Sequence, residues 1–289
     1  MKEGSDSGSK QELTDYQYML CTPILRGYSI KSKRWLSFFV NHVQPIKWDA
    51  HAFDGLVLPK TQKKLVLALS KTQAASVSSF DDIVSGKGKG MILLLSGPPG
   101  VGKTLTAEAV SENMRVPLYA MSAGDLGVRP EEVESRLENI LDMVAKWKAI
   151  LLIDECDVFL EARSINDIKR NQLVSIFLRL LEYYQGTLFL TTNRVDNLDP
   201  AFQSRIHVHL KYEELMVKSR RQIWGSFAEK VPSRFADGEL DELAKVMLNG
   251  RQIKNLVKTA QLLALEDGNV LCKDYVDMVL AIEKGFDED

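Results

Sequence analysis

Cysteine is scarce. Cys21, Cys156 and Cys272 are odd in number and scattered over 289 residues, which argues against a disulfide framework and suits a reducing setting, cytoplasm or nucleus. Long hydrophobic runs are also missing. The longest, MILLL and AILLI, fall far short of the roughly 20 residues of a membrane-spanning helix, so no span is expected. The start, MKEGSDSGSKQELTD, has no apolar signal core and reads as a disordered tail over 1–15. Neither charge sign dominates: 37 Lys and Arg stand against 39 Asp and Glu, for a net charge of −2. That balance gives no global pull toward nucleic acid, which is not the expected partner. Internal repeats and long low-complexity tracts are absent too. What is present, 45% hydrophobic and 26% charged residues, suffices for one large domain and a smaller one.

One stretch dominates the rest. SGPPGVGKTL, Ser96 to Leu105, fits the spacing G-x-x-x-x-G-K-[ST] at Gly97, Gly102, Lys103 and Thr104. The spacing suits a strand that stops, turns without side-chain clash, and opens a helix whose free N–H groups face an anion. Pro98 and Pro99 have no N–H and only stiffen the approach. The amides of Gly100, Val101, Gly102, Lys103, Thr104 and Leu105 are therefore those open to the β- and γ-phosphates. Lys103 adds a point charge and Thr104 a hydroxyl for Mg²⁺, so ATP with Mg²⁺ is the expected ligand. A plain glycine turn is the bland alternative.

Around this loop, strands and helices alternate. Apolar or β-branched runs occur at Met91 to Leu95, Val116 to Met121, Ala149 to Ile153, Thr187 to Thr192 and Ile206 to Leu210. In RPEEVESRLENILDMVAKWK, Val133, Leu137, Ile140, Leu141 and Val144 share a helical face, with Pro130 in the first turn and Glu131 and Glu132 at the positive helix end. IKRNQLVSIFLRLLEYYQ turns Leu173, Ile176, Phe177, Leu180 and Leu181 inward. Such alternation predicts an α/β fold, a parallel five-stranded sheet sandwiched by helices over 51–210, with its ligand at the strand C-termini. Over 211–289 the period is helical throughout. RQIKNLVKTAQLLALED, with Ile253, Leu256, Val257, Ala260 and Leu263 on one face, predicts a small all-helical lid domain. Residues 16–50 form a hairpin and linker, since CTPILRGYSIKSKRWLSFFV alternates apolar and polar residues around a basic turn. Lys31, Lys33, Arg34 and Trp35 there could stack on and pair with nucleic acid, or simply be a solvated tip.

A second motif narrows the chemistry. AILLIDE, Ala149 to Glu155, is an apolar strand that ends in two carboxylates. Asp154 is placed to hold the hydration shell of Mg²⁺, and Glu155 to polarise a water aimed at the γ-phosphate. Two acids at this point imply hydrolysis; a kinase would not need the second.

At these residues the chain resembles the AAA+ ATPases, and within them the AAA clade, over roughly Phe53 to Asp289. The phosphate loop and the acid-ended strand correspond to the family's Walker A and Walker B elements. IDECDVFLEAR matches I-D-E-x-D-x-x-x-x-x-R, and TTNRVDNLDPAF matches T-N-R-x-x-x-L-D-P-A. The hairpin stretch is similar to a segment that precedes the ATPase module in some fungal members. The resemblance implies ATP in a cleft between a large αβ domain and a helical lid, and a homo-oligomeric ring whose sites abut the next subunit.

Carried over by residue, Asn193 resembles the sensor-1 amide, which would face the attacking water and a γ-phosphate oxygen; a turn-forming Asn at a strand end is its alternative. Arg205, in DPAFQSRIHV, falls at the finger that reaches the neighbour's site; a surface salt bridge is its alternative. The segment departs from the clade in having a single arginine after Gln203 and Ser204. Arg163 and Arg170 lie where subunits touch in the family, or are solvated charges. Arg251, in NGRQIKN, resembles a sensor-2 arginine, a feature that the AAA clade usually lacks, or is an ordinary first-turn surface arginine. FDGLVLPK, from Phe53, resembles the segment that wraps adenine. SAGDLGVRPEEVE holds Leu126 and Gly127 where threading members carry an aromatic, which weakens threading. His207 and His209 alternate on the last strand, and packing is favoured over a metal for them. The expected function is ATP hydrolysis that remodels an unidentified protein partner. A nucleic-acid loader and a slow nucleotide switch are the alternatives.

Overall fold

The computed structural model describes residues 13–49, 51–74, 90–127, 129–161, 167–194 and 198–286, and the chain divides into two compact units, Met1–Lys47 and Trp48–Asp289. The first unit opens with α1 (Asp15–Leu20), capped reciprocally by Thr14 and Gln17. Strands β1 (Ile24–Ser29) and β2 (Arg34–Phe39) then pair antiparallel, Tyr28 opposite Trp35 and Ile24 opposite Phe39. This is the hairpin read from the alternation. At its tip Tyr28 meets Trp35 edge to face, with ring centroids 5.5 Å apart. None of its described residues is buried.

In the second unit the elements alternate: α2 (Lys60–Ala74), β3 (Met91–Ser96), α3 (Lys103–Met114), β4 (Leu118–Ser122), α4 (Pro130–Lys146), β5 (Ile150–Asp154), α5 (Asp157–Leu160), α6 (Ile168–Tyr183), β6 (Thr187–Thr192), α7 (Pro200–Gln203) and β7 (Val208–Lys211). The strands form one sheet in the order β4-β5-β6-β3-β7, parallel at every pairing. The five-stranded parallel α/β fold is therefore as expected. Two strands, β4 and β7, start two residues later than the apolar runs suggest. Pro117 has no N–H to give a ladder, and only its carbonyl joins β5, accepting from Ile150 at 2.8 Å. The Ile206 N–H is taken by Phe202 at 3.0 Å, closing the turn of α7 before β7 can begin.

Leucines alternate to the two faces of β3, so this interior strand is apolar on both sides. Leu93 and Leu95 pack with Ala107 and Val110 of α3, Val66 of α2, and Phe53 and Leu56. Helix α4 buries Val133, Leu137, Leu141 and Val144, and α6 buries Leu173, Ile176, Phe177 and Leu181, whereas Ile140 and Leu180 are only half-buried. Phe177 stacks on Phe159 at 4.8 Å. Beyond β7 come α8 (Val217–Ala228), α9 (Glu239–Lys245), α10 (Gly250–Glu266) and α11 (Lys273–Phe286), around a core of their own that includes Trp224, Leu243, Ile253, Leu256, Ala260 and Val276. No helix among the described residues is long and apolar enough to cross a membrane.

The order of strands decides where chemistry can occur. β3 has β6 on one side and β7 on the other, with β5 beyond β6. The C-terminal ends of these parallel strands therefore bring Ser96, Asp154, Thr192 and Lys211 to one edge of the sheet.

Candidate functional site

β3 ends at Ser96 and α3 begins at Lys103, so the turn between them is short and glycine-dependent. Gly97, Gly100 and Gly102 have φ of 140°, 76° and 103°, where a side chain is strained. Space is short as well. A Cβ on Gly97 would lie 2.2 Å from the Tyr212 carbonyl oxygen, and one on Gly100 would lie 2.5 Å from the Asn249 side chain. Val101 is buried beneath the turn, while Leu105 is half exposed on the first turn of α3. The result is a tight strand-to-helix corner ending in free helix amides, which fits a phosphate.

Lys103 is only 7% exposed. Its Nζ donates to the carbonyls of Gly97 and Pro98, each at 2.7 Å, and to Oδ1 of Asn193 at 2.8 Å. Burial lowers its pKa, the nearby carboxylates of Asp154 and Asp157 act the other way, and the charge of Arg251 lowers it further. The amine thus ties the loop to the residue just past β6.

Thr104 is placed one residue on, and its hydroxyl lies 3.2 and 3.1 Å from the two carboxylate oxygens of Asp154. The Thr191 hydroxyl also donates to Asp154, and it accepts the Glu155 N–H at 3.0 Å. Thr192 does the same one residue further along, donating to Asp157 and accepting the Arg194 N–H at 3.0 Å. The Thr104 and Asp154 oxygens are the donor type that a hard divalent cation takes, so the pair fits Mg²⁺.

Glu155 has a φ of 53°, a conformation that costs a non-glycine residue on the order of 1–3 kcal/mol unless its surroundings enforce it. Here they do. Its own N–H is held by Thr191, and the next residue, Cys156, bonds the Thr191 carbonyl through both N–H and thiol at 2.9 Å. Burial raises the Cys156 thiol pKa well above its usual value, which makes this sulfur inert. The Glu155 carboxylate is exposed and takes no hydrogen bond from another described residue.

The loop, Lys103, Thr104, Asp154, Glu155 and Asn193 therefore come together, and Arg205 and Arg170 do not join them. Arg205 follows α7; its Nη1 donates to Ala201 O at 3.0 Å and its Nη2 lies 3.4 Å from Glu182 Oε2. Arg170 pairs with Glu161 at 3.3 Å, and Glu161 also faces Arg194 at 3.7 Å. Arg163 lies outside the described residues. Arg251 sits exposed in the first turn of α10, behind a capping box of Asn249 and Gln252. Its neighbour Gly250 donates its N–H to the Gly100 carbonyl at 2.8 Å, so this helix start touches the phosphate loop.

The remaining segments have structural places. Phe53 and Leu56 of FDGLVLPK are core residues, and a cavity of about 360 Å³ lined by Trp48, Ala52, Leu105, Glu108, Glu112 and Leu118 opens beside α3. Leu126 is fully buried at the end of a short turn, Ala123–Leu126, so it cannot project as a gripping side chain. His207 Nδ1 accepts the Ile92 N–H at 3.1 Å and His209 Nε2 meets Ser96 Oγ at 2.7 Å; desolvation lowers both pKa values. They fasten β7 to β3, and among the described residues no group of three or more His, Cys, Asp or Glu could hold a metal.

Sequence reasoning assigned no role to Asp157, Thr191, Thr192 or Tyr212, although Asp157 and Thr192 are fixed positions of the matched patterns. The hydroxyl pair immediately before Asn193 was a usable signal for the threonines, since two β-branched hydroxyls closing an apolar strand must bond to something.

The family described as "ATPase family associated with various cellular activities (AAA)" matches residues 93–214. Among similar proteins, the ATP-dependent zinc metalloprotease FtsH of Lachnoclostridium phytofermentans is 31% identical over 204 residues, 64% of this chain and 34% of that protein. FtsH of Karelsulcia muelleri is 28% identical over 247 residues, 78% of this chain and 38% of its own length. The ATPase family gene 2 protein homolog B of Rattus norvegicus is 31% identical over 152 residues, covering 48% and 20%. The chain spans a fifth to about two fifths of these relatives, and proteolysis and zinc belong to the names of the two FtsH proteins alone. The matched residues take in the glycine corner, the acid-ended β5 and the end of β6, and over this segment the chain is similar to the AAA family of ATPases.

Proposed function

We propose that this chain binds ATP with Mg²⁺ at the β3–α3 corner and hydrolyses it, and that it does so within a homo-oligomeric ring that remodels a protein partner. The observation that carries the reading is the stitching of three strand ends. Lys103 reaches Asn193 past β6, while Thr104 and Thr191 both hold Asp154 at the end of β5. Lys103 and the amides from Gly100 to Leu105 bind the phosphates. Thr104 and Asp154 would hold Mg²⁺, which supplies neutralisation of phosphate charge. Glu155 takes the proton from the water that attacks the γ-phosphorus, and Asn193 donates its amide toward that water and the departing phosphate. Arg251 adds positive charge from the helical side. The three free thiols support a reducing compartment.

Purified protein given MgATP should retain the nucleotide and release inorganic phosphate, and should run as a larger species with ATP than without it. A preparation that does neither ends the enzymatic reading; full turnover by a monomer ends the ring.

Arg205 supports the ring because its partners, Ala201 and Glu182, lie outside the nucleotide corner of its own chain. A half-exposed pair of this kind holds with only about 0–1 kcal/mol, so the guanidinium can be recruited by a neighbour's phosphates. Arg205→Ala subunits mixed with Lys103→Ala subunits should then recover part of the hydrolysis that neither has alone. Co-assembly without recovery would count against a finger in trans.

A further inference from the structure

The helical layer joins the sheet through one short link, since β7 ends at Lys211 and α8 begins at Val217. Tyr212 is the first residue of that link. Its N–H donates to the Ser96 carbonyl at 2.7 Å, and its own carbonyl closes on Gly97 so tightly that no Cβ fits there. Its phenol oxygen lies 2.7 Å from Thr106 Oγ1. Thr106 is fully buried and gives its single hydroxyl hydrogen to the Gly102 carbonyl at 2.9 Å. That leaves the threonine oxygen as an acceptor only, so Tyr212 is the donor. Burial pushes the phenol pKa up to about 12, and the proton stays in place at any working pH. One residue therefore touches the phosphate loop where it begins, at Ser96 and Gly97, and through Thr106 where it ends, at Gly102.

We propose that Tyr212 is a positioning residue for the nucleotide site, a clamp that fixes both ends of the phosphate loop and makes the position of the helical layer felt there. A bare core aromatic would need the ring alone. Here the hydroxyl completes a chain, Tyr212 to Thr106 to the Gly102 carbonyl, that bears on the φ of 103° at Gly102 and so on the direction of the amides that follow. The catalytic consequence rests on the ATP reading; the mechanical one does not.

The two are separated by experiment. Tyr212→Phe keeps the ring and both backbone contacts and removes only the donor, Thr106→Val removes the relay, and Thr106→Ser restores it. In the nucleotide-free protein, amide exchange over residues 97–106 should speed up about tenfold in Tyr212→Phe and Thr106→Val, with β4 and β5 unchanged. With nucleotide, both variants should bind MgADP about tenfold more weakly and raise KM more than they lower kcat. The double variant should be no worse than either single one, and Thr106→Ser should sit near the parent. Unchanged loop exchange, an increase spread evenly over the chain, or additive effects in the double variant would each overturn the clamp. A parent protein that binds no nucleotide would sink the ATP reading while leaving the exchange comparison decisive for Tyr212.

Discussion

Lys103→Ala is expected to abolish ATP retention, with affinity falling by at least about a hundredfold. The amine is a buried cation that makes three contacts, to Gly97 O, Pro98 O and Asn193 Oδ1, and a triphosphate would exchange some of these for charge-assisted bonds. Each such bond is worth about 1.5–3 kcal/mol, so losing two amounts to two or more orders of magnitude. The substitution also takes a donor from the two loop carbonyls, which costs some stability. Binding must therefore be measured by calorimetry alongside a melting curve. A folded Lys103→Ala protein with the parent's ATP affinity would remove the phosphate-loop assignment altogether.

Glu155→Gln separates binding from chemistry. The amide keeps the size and the exposed position of the carboxylate but cannot accept a proton. Turnover should drop by about a hundredfold or more, in the range set by loss of a general base, with ATP affinity within a few-fold of the parent. Asp154 provides the contrast. Its carboxylate is held by Thr104 and Thr191, whereas that of Glu155 takes no bond from a described residue, so only the latter is at liberty to address water. Single-turnover measurement is the right check, because slow product release could mask the step in steady state. A Glu155→Gln enzyme that hydrolyses ATP at the parental rate would move the base elsewhere.

Local pattern carries far in this chain. The glycine spacing, the two acids that end β5 and the 3.6-residue periods of α4, α6 and α10 are each read within a dozen residues, and the five-stranded parallel sheet follows from them. Contacts between distant segments do not show in such a reading. Tyr212 and Thr106 are separated by 106 positions and meet only because β7 lies beside β3. The partner of Arg205 is Glu182, on α6, and nothing around either residue announces the other. Leu126 is noted in the sequence only for not being aromatic, and the short stretch after β4 does not reveal that its side chain turns into the core. Conversely, His207 and His209 suggest a metal by their alternation, and it is β3, invisible in their own neighbourhood, that accounts for them.

The hydrogen bond from Gly250 to the Gly100 carbonyl bears on how the chain can diverge over generations. Being made by main-chain atoms, it is blind to most exchanges on the surface of α10, yet a Cβ at 250 would crowd the Gly100 oxygen at 3.0 Å and one at 100 would strike Asn249. Positions 100, 249 and 250 are thus free to drift only as a set, whereas Arg251 beside them can vary without disturbing the joint.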